Sequence, residues 1–138
     1  MITRPDVTAA LARGVSRLLL NHGYAPLVEL GLGNGRRADI VGLSSRAELI
    51  IVETKSSWED FNTDQKWPDY IEYCDLFYFG VAEDFPIERL PDDIGLIIAD
   101  GFDGAIVRPA LRTPLAPARR RAMLIEYARV AATRLNML

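Results

Sequence analysis

The sequence predicts one small α/β domain built on a mixed sheet, and three observations carry that. Apolar residues recur at helical spacing near both ends of the chain. Three short apolar segments follow one another through tight-turn chemistry, and a fourth lies beyond a segment of helical character. The 138 residues are 49% hydrophobic and 25% charged, which suits a single domain with a real core and gives disorder no compositional support.

Thr3-Arg4-Pro5-Asp6 reads as a helix start: a capping hydroxyl, a proline in the first turn and an acid at the positive end of the dipole. Val7, Leu11, Val15 and Leu18 then mark one face, and Gly23 is a natural stop, so the first helix is expected over 4–22. Residues 24–32 read as a strand, Gly33-Asn34-Gly35 as a turn, and 37–43 as a second strand. Ser44-Ser45-Arg46 turns the chain into a third strand over 47–55, the most apolar and therefore expected at the centre of the sheet. The three form an antiparallel meander. A helix is expected over about 60–73, kinked or divided by Pro68. The aromatic-rich strand 76–81 would then lie parallel to the third through a crossover.

Pro86 to Leu90 suggests a helical turn, and 94–99 with 105–108 a hairpin around Asp100-Gly101-Phe102-Asp103-Gly104. Beyond Pro114 and Pro117 a last helix is expected, with Leu124, Ala128, Ala131 and Leu135 along its inner face. No repeat, low-complexity stretch or linker divides the chain.

Several functions are excluded early. No run of about 18 apolar residues exists, so no membrane association is expected. The polar N-terminus lacks a signal-peptide layout. Cys74 is the only cysteine, which fits a reducing cytoplasm. It sits among apolar and aromatic residues and is read as core. The only histidine, His22, lies in the helix-ending Asn21-His22-Gly23, away from any thiol. A net charge of −3 argues against a coat of positive charge, although Arg36-Arg37 and Arg119-Arg120-Arg121 are local basic clusters. The glycines at 31, 33 and 35 precede a strand rather than a helix, so they are turn residues and not a phosphate loop.

The chemistry sits in Arg37-Ala38-Asp39-Ile40-Val41 and Ile51-Val52-Glu53-Thr54-Lys55. Residues two apart on a strand share a face, so Glu53 and Lys55 point one way, and Asp39 on the neighbouring strand can lie beside Glu53. Mg²⁺ takes hard oxygen ligands, commonly one or two carboxylates with waters and phosphate oxygens. Asp39, Glu53 and the backbone carbonyl of Thr54 would supply them. Lys55 would hold the attacking water or stabilise phosphate charge. Alternating charges on a strand are more often a solvated face. Here, however, Leu49 and Ile51 share the face of Glu53, so it is apolar for most of its length and polar only at its end.

Gly35-Arg36-Arg37-Ala38-Asp39-Ile40, Val52-Glu53-Thr54-Lys55-Ser56-Ser57, the run from Asp64 to Asp75 and the tail from Leu115 to Arg121 together resemble the MmcB-like family of bacterial DNA repair proteins, within the PD-(D/E)xK nuclease superfamily. The Lys66-Trp67-Pro68 and Tyr73-Cys74-Asp75 runs are the most specific part. The resemblance implies a restriction-endonuclease-like αβββαβ core, its mixed central sheet flanked by helices, with an extra C-terminal hairpin and helix. It also implies a divalent cation (Mg²⁺, with Mn²⁺ as a substitute) and phosphodiester hydrolysis in DNA.

By that resemblance Asp39 and Glu53 match the metal-binding carboxylates and Lys55 the catalytic lysine. Ala38 stands where the superfamily's nominal proline would be. The first helix offers no carboxylate past Asp6, and Glu29 is the stand-in considered. Gln65 and Lys66 match positions near the substrate phosphate. Arg36, Arg37, Ser56, Ser57 and Tyr70 complete the expected nucleic-acid contacts, with core packing as the alternative for Tyr70 and Trp67 and strand termination for the serines. So small a domain is expected to work as a dimer or with a repair-protein partner. The competing reading is a catalytically inactive module that keeps the fold and binds DNA.

Overall fold

A computed structural model describes residues 3–138. Helix α1 (Arg4–Asn21) starts where expected, because Thr3 and Asp6 cap it reciprocally: the Asp6 amide donates to the Thr3 hydroxyl at 3.3 Å and the Thr3 amide to the Asp6 carboxylate at 3.1 Å. It ends before Gly23, which takes φ +83°. Leu11, Val15, Leu18 and Leu19 form its buried face.

Strands β1 (Tyr24–Gly31), β2 (Arg37–Ser44) and β3 (Leu49–Lys55) form the antiparallel meander. The segment expected as one helix over 60–73 is two pieces, α2 (Trp58–Thr63) and a 3₁₀ helix η1 (Trp67–Tyr73). The break falls at residues 64–66 rather than at Pro68, which sits in the first turn of the second piece, where a missing amide costs nothing. Then come β4 (Leu76–Val81), a short 3₁₀ turn (Ile87–Arg89), β5 (Gly95–Ala99), β6 (Gly104–Arg108) and α3 (Pro117–Asn136).

The six strands form one sheet in the order β1-β2-β3-β4-β5-β6. β3 is interior, parallel to β4, and β4 is parallel to β5; the β5–β6 hairpin closes the sheet with an irregularity between Leu96 and Ile97. The α1 face packs Leu11, Val15, Leu18 and Leu19 on Ile40, Ile50, Val52, Tyr78 and Ile97. The other face packs Leu49, Ile51, Phe77 and Phe79 beneath Phe61, Tyr70, Tyr73, Leu115 and Met123. Each such side chain, fully buried, contributes roughly 1.5–3 kcal/mol relative to exposure.

The inner face of α3 differs from expectation. Met123 is buried, and Leu124, Tyr127, Val130 and Ala131 are partly so, whereas Ala128 is exposed and Leu135 is 70% exposed. The anchors that rotate the helix are polar: the Tyr127 hydroxyl donates to the Ala25 carbonyl at 2.7 Å, and Arg134 donates to the carbonyls of Val28 and Glu29. An apolar-face argument does not see such bonds.

Asp75 is 1% exposed and joins three elements. It accepts the amides of Leu49 (2.8 Å) and Leu115 (2.9 Å) and both ends of the Arg120 guanidinium at 2.7 Å. Arg120 also donates to the Ala47 carbonyl at 2.8 Å. Ala47 takes φ +64° in the β2–β3 turn, so this arginine braces a strained corner. Among the described residues, no helix is long and apolar enough to cross a membrane.

Candidate metal and phosphate site

The period-two rule places Leu49, Ile51, Glu53 and Lys55 on one face of β3. The first two lie under the helical layer; Glu53 and Lys55, each 3% exposed, emerge at the strand's C-terminal end. The β2–β3 ladder extends to Ile40 opposite Val52. Beyond that pair the carboxylates bridge the strands. The Asp39 amide donates to Glu53 Oε1 at 2.8 Å, and the Thr54 amide to Asp39 Oδ2 at 2.9 Å, with the Thr54 hydroxyl at 3.1 Å. The two side chains also bond each other, protonated Glu53 donating to the Asp39 carboxylate.

Burial raises both acids. Glu53 is pushed up to about 9, by loss of solvent first and the Asp39 charge second. Asp39 rises for the same first reason, partly offset by its bonds from Thr54. Lys55 does not relieve them by contact: its Nζ bonds Asp64 Oδ2 at 2.8 Å, and this ion pair lowers the Asp64 carboxyl.

These groups line one cleft of about 340 Å³ together with Thr8 of α1, Thr54, Ser56, Asp60 and Tyr70. Four carboxylates (Asp39, Glu53, Asp60, Asp64) therefore face one ammonium there. Such a cleft repels a bare phosphate and attracts a cation. Among the described residues no three His, Cys, Asp or Glu side chains form a ready-made metal cage. A hard cation that keeps its waters needs only two carboxylates, so the donor set fits Mg²⁺ or Mn²⁺.

The structure brings Asp39, Glu53, Thr54, Lys55, Ser56 and Tyr70 together, and it separates the other expected residues from them. Glu29, with φ +54°, is exposed and lies 3.9 Å from Arg37, so it is not the missing carboxylate of this cleft. Arg36 pairs with Asp69 at 3.0 Å. Gln65 folds back onto the carbonyls of Phe61 and Asn62, and Lys66 lies exposed outside the cleft. The Ser57 hydroxyl caps α2 by accepting the Asp60 amide. Tyr70 is 7% exposed, lies parallel to Phe77 and donates to the Arg37 carbonyl at 3.3 Å, so it has no free face for a base. Trp67 is core, against Phe77 and Phe79. Burial pushes the Cys74 thiol up to about 12, which fits a core thiol.

Asp60 and Asp64 also line the cleft, and they are not among the residues the sequence singles out. Asp60 does accept the Ser56 amide at 3.1 Å, and Asp64 that of Lys66. Their four-residue spacing, Asp60 in the first turn of α2 and Asp64 just past its end, is the signal that puts both on the side of Lys55.

A mixed α/β sheet with two carboxyls paired across neighbouring interior strands defines the class. Within it, the chain belongs to the MmcB-like family: the model for "DNA repair protein MmcB-like" matches residues 2–138. No curated protein matches the chain. Among solved structures it is similar to the SPO1766 protein of unknown function from Silicibacter pomeroyi, at 45% identity over 91% of this chain and 86% of that one, with a TM-score of 0.88. A repair endonuclease from Pyrococcus abyssi matches at 16% identity over 49% of this chain and 31% of that one, with a TM-score of 0.31.

Proposed function

We propose that the chain is a metal-dependent deoxyribonuclease of DNA repair, with a restriction-endonuclease-like core. The observation that supports this is the Asp39–Glu53 pair: two facing carboxyls, Glu53 buried and Asp39 half-buried, each fixed by an amide of the opposite strand, and neither in an ion pair among the described residues. Retaining such a pair is costly for stability alone. When bound, a divalent cation would supply Lewis-acid stabilisation of the charge that develops on the phosphate.

The chain's own residues do the rest. The crossed amide bonds orient Asp39 and Glu53. Lys55, held by Asp64 at the mouth of the same cleft, donates to a phosphate oxygen or to the attacking water. Tyr70, bonded to the Arg37 carbonyl, braces the strand that carries Asp39.

The test is cleavage of single-stranded, nicked, flapped and mismatched DNA with Mg²⁺ or Mn²⁺. Activity that is lost in Asp39→Ala and Glu53→Ala, with the fold intact, supports the enzyme. DNA binding without cleavage, unaffected by either change, supports the inactive module, a reading favoured by the engagement of Lys55 with Asp64.

A further inference from the structure

A second cleft, of about 620 Å³, opens between α3 and the β1–β2 turn, walled by Gly33, Tyr73, Arg119, Met123 and Glu126. That volume is within the range of small-ligand sites, roughly 300–1,000 Å³. Arg119 sits over Tyr73, its guanidinium carbon 4.0 Å from the ring centre. Its Nη1 is buried with no hydrogen-bond partner among the described residues. Its neighbour Arg120, by contrast, is fully engaged with Asp75 and Ala47. A guanidinium held over a ring with an unpartnered nitrogen is a planar donor set suited to an anion.

The far end of the cleft has the opposite character. Glu126 follows Arg119 by two helical turns, about 10 Å by the helical rise, and no ion pair joins them among the described residues. Buried Leu32 and Met123 lie between. An anion site, an apolar floor and an acceptor in that order fit a nucleotide: phosphate on Arg119, base over Met123, base N–H edge toward Glu126.

The two clefts border the same short helix. Tyr70 borders the carboxylate cleft and Tyr73 this one, and the two are one turn of η1 apart, about 6 Å, on the same face of a 3₁₀ helix. We propose that the Arg119–Glu126 cleft holds one unstacked nucleotide of a single DNA strand whose backbone continues into the Asp39–Glu53 cleft. The continuation rests on the nuclease reading; the binding itself needs no metal.

The experiment is fluorescence anisotropy of the full chain with a labelled short oligodeoxyadenylate in EDTA, with 5′-dAMP as competitor. Saturable binding is expected, weakened at least about tenfold in Arg119→Gln. Glu126→Gln should change the preference between oligodeoxyadenylate and oligothymidylate, and it carries the test if Arg119→Gln does not fold. Arg17→Gln, a basic residue that lines neither cleft, should leave binding in EDTA unchanged within about twofold. The proposal is overturned by absence of binding, by unchanged binding in both Arg119→Gln and Glu126→Gln, by an equal loss in Arg17→Gln, or by dAMP competing as well as the strand does. Binding that fails while metal-dependent cleavage persists removes this subsite alone; cleavage that fails while binding persists removes only the nuclease.

Discussion

Asp39 and Glu53 each hold the strand the other sits on: the Asp39 amide donates to Glu53 while the Asp39 carboxyl takes the Thr54 amide. Carboxylates thus replace the last rungs of the β2–β3 ladder. The arrangement fixes both acids and leaves them crowded, and that crowding has a pH signature.

Glu53 is pushed up to about 9 from 4.5, so the folded chain keeps a proton that the unfolded chain releases. Its contribution to stability is fully present below 4.5 and is lost as the pH rises toward 9. The metal-free protein should therefore lose on the order of a few kcal/mol between pH 5 and 9. Glu53→Gln should flatten this limb and be the more stable form at pH 8. Urea unfolding across pH, in EDTA, checks it.

The acid limb belongs to Asp75. Burial alone would raise this carboxyl, but Arg120 and the two amides outweigh it and hold it down at about 2. Its contribution is present above 3.8 and is lost as the pH falls through about 2. Asp75→Asn should cost about 3–5 kcal/mol, because it strips a partly buried arginine and a strained turn of their anchor. The same unfolding measurement at pH 7 reads this loss.

At Gly14, inside α1, helix propensity favours alanine by about 1 kcal/mol. The structure reverses the sign, since a Cβ there would stand 2.0 Å from the Asp100 carbonyl oxygen and 2.8 Å from that of Asp103. Gly14→Ala should destabilise by roughly 1–3 kcal/mol, while Gly31→Ala, with open space around it, should be close to neutral. Thermal unfolding separates the two.

Lys55 and Asp64 should separate stability from catalysis. Asp64 is 35% exposed, so solvent takes over when its partner goes. Lys55→Met should leave the fold nearly unchanged while reducing cleavage by about 10²-fold or more. Asp64→Asn, which only positions the lysine, should cost about tenfold, with a shifted pH–rate profile. Single-turnover cleavage measures both.

The element order was legible because periodicity and turn chemistry agreed: the strand alternation that put Glu53 and Lys55 on the face of Leu49 and Ile51 also placed Asp39 beside them. Less was legible where side chains bond across long sequence separations. Nothing local shows that Lys55 reaches Asp64, that Arg120 closes on Asp75, or that Arg134 and Tyr127 turn α3 away from its simplest apolar face. For Tyr70 a buried tyrosine and a base-stacking one have the same sequence signature, and its parallel contact with Phe77 favours the core-packing alternative.

The central claim is that Asp39 and Glu53 together grip one divalent cation. Calorimetric titration of Mn²⁺ at pH 7, in two buffers of different ionisation enthalpy, tests it most directly. Binding of one ion with release of close to one proton is expected, since Glu53 must give up the proton it holds, and both heat and proton release should vanish in Asp39→Asn. Absence of binding, or binding without proton release that survives the substitution, would contradict it.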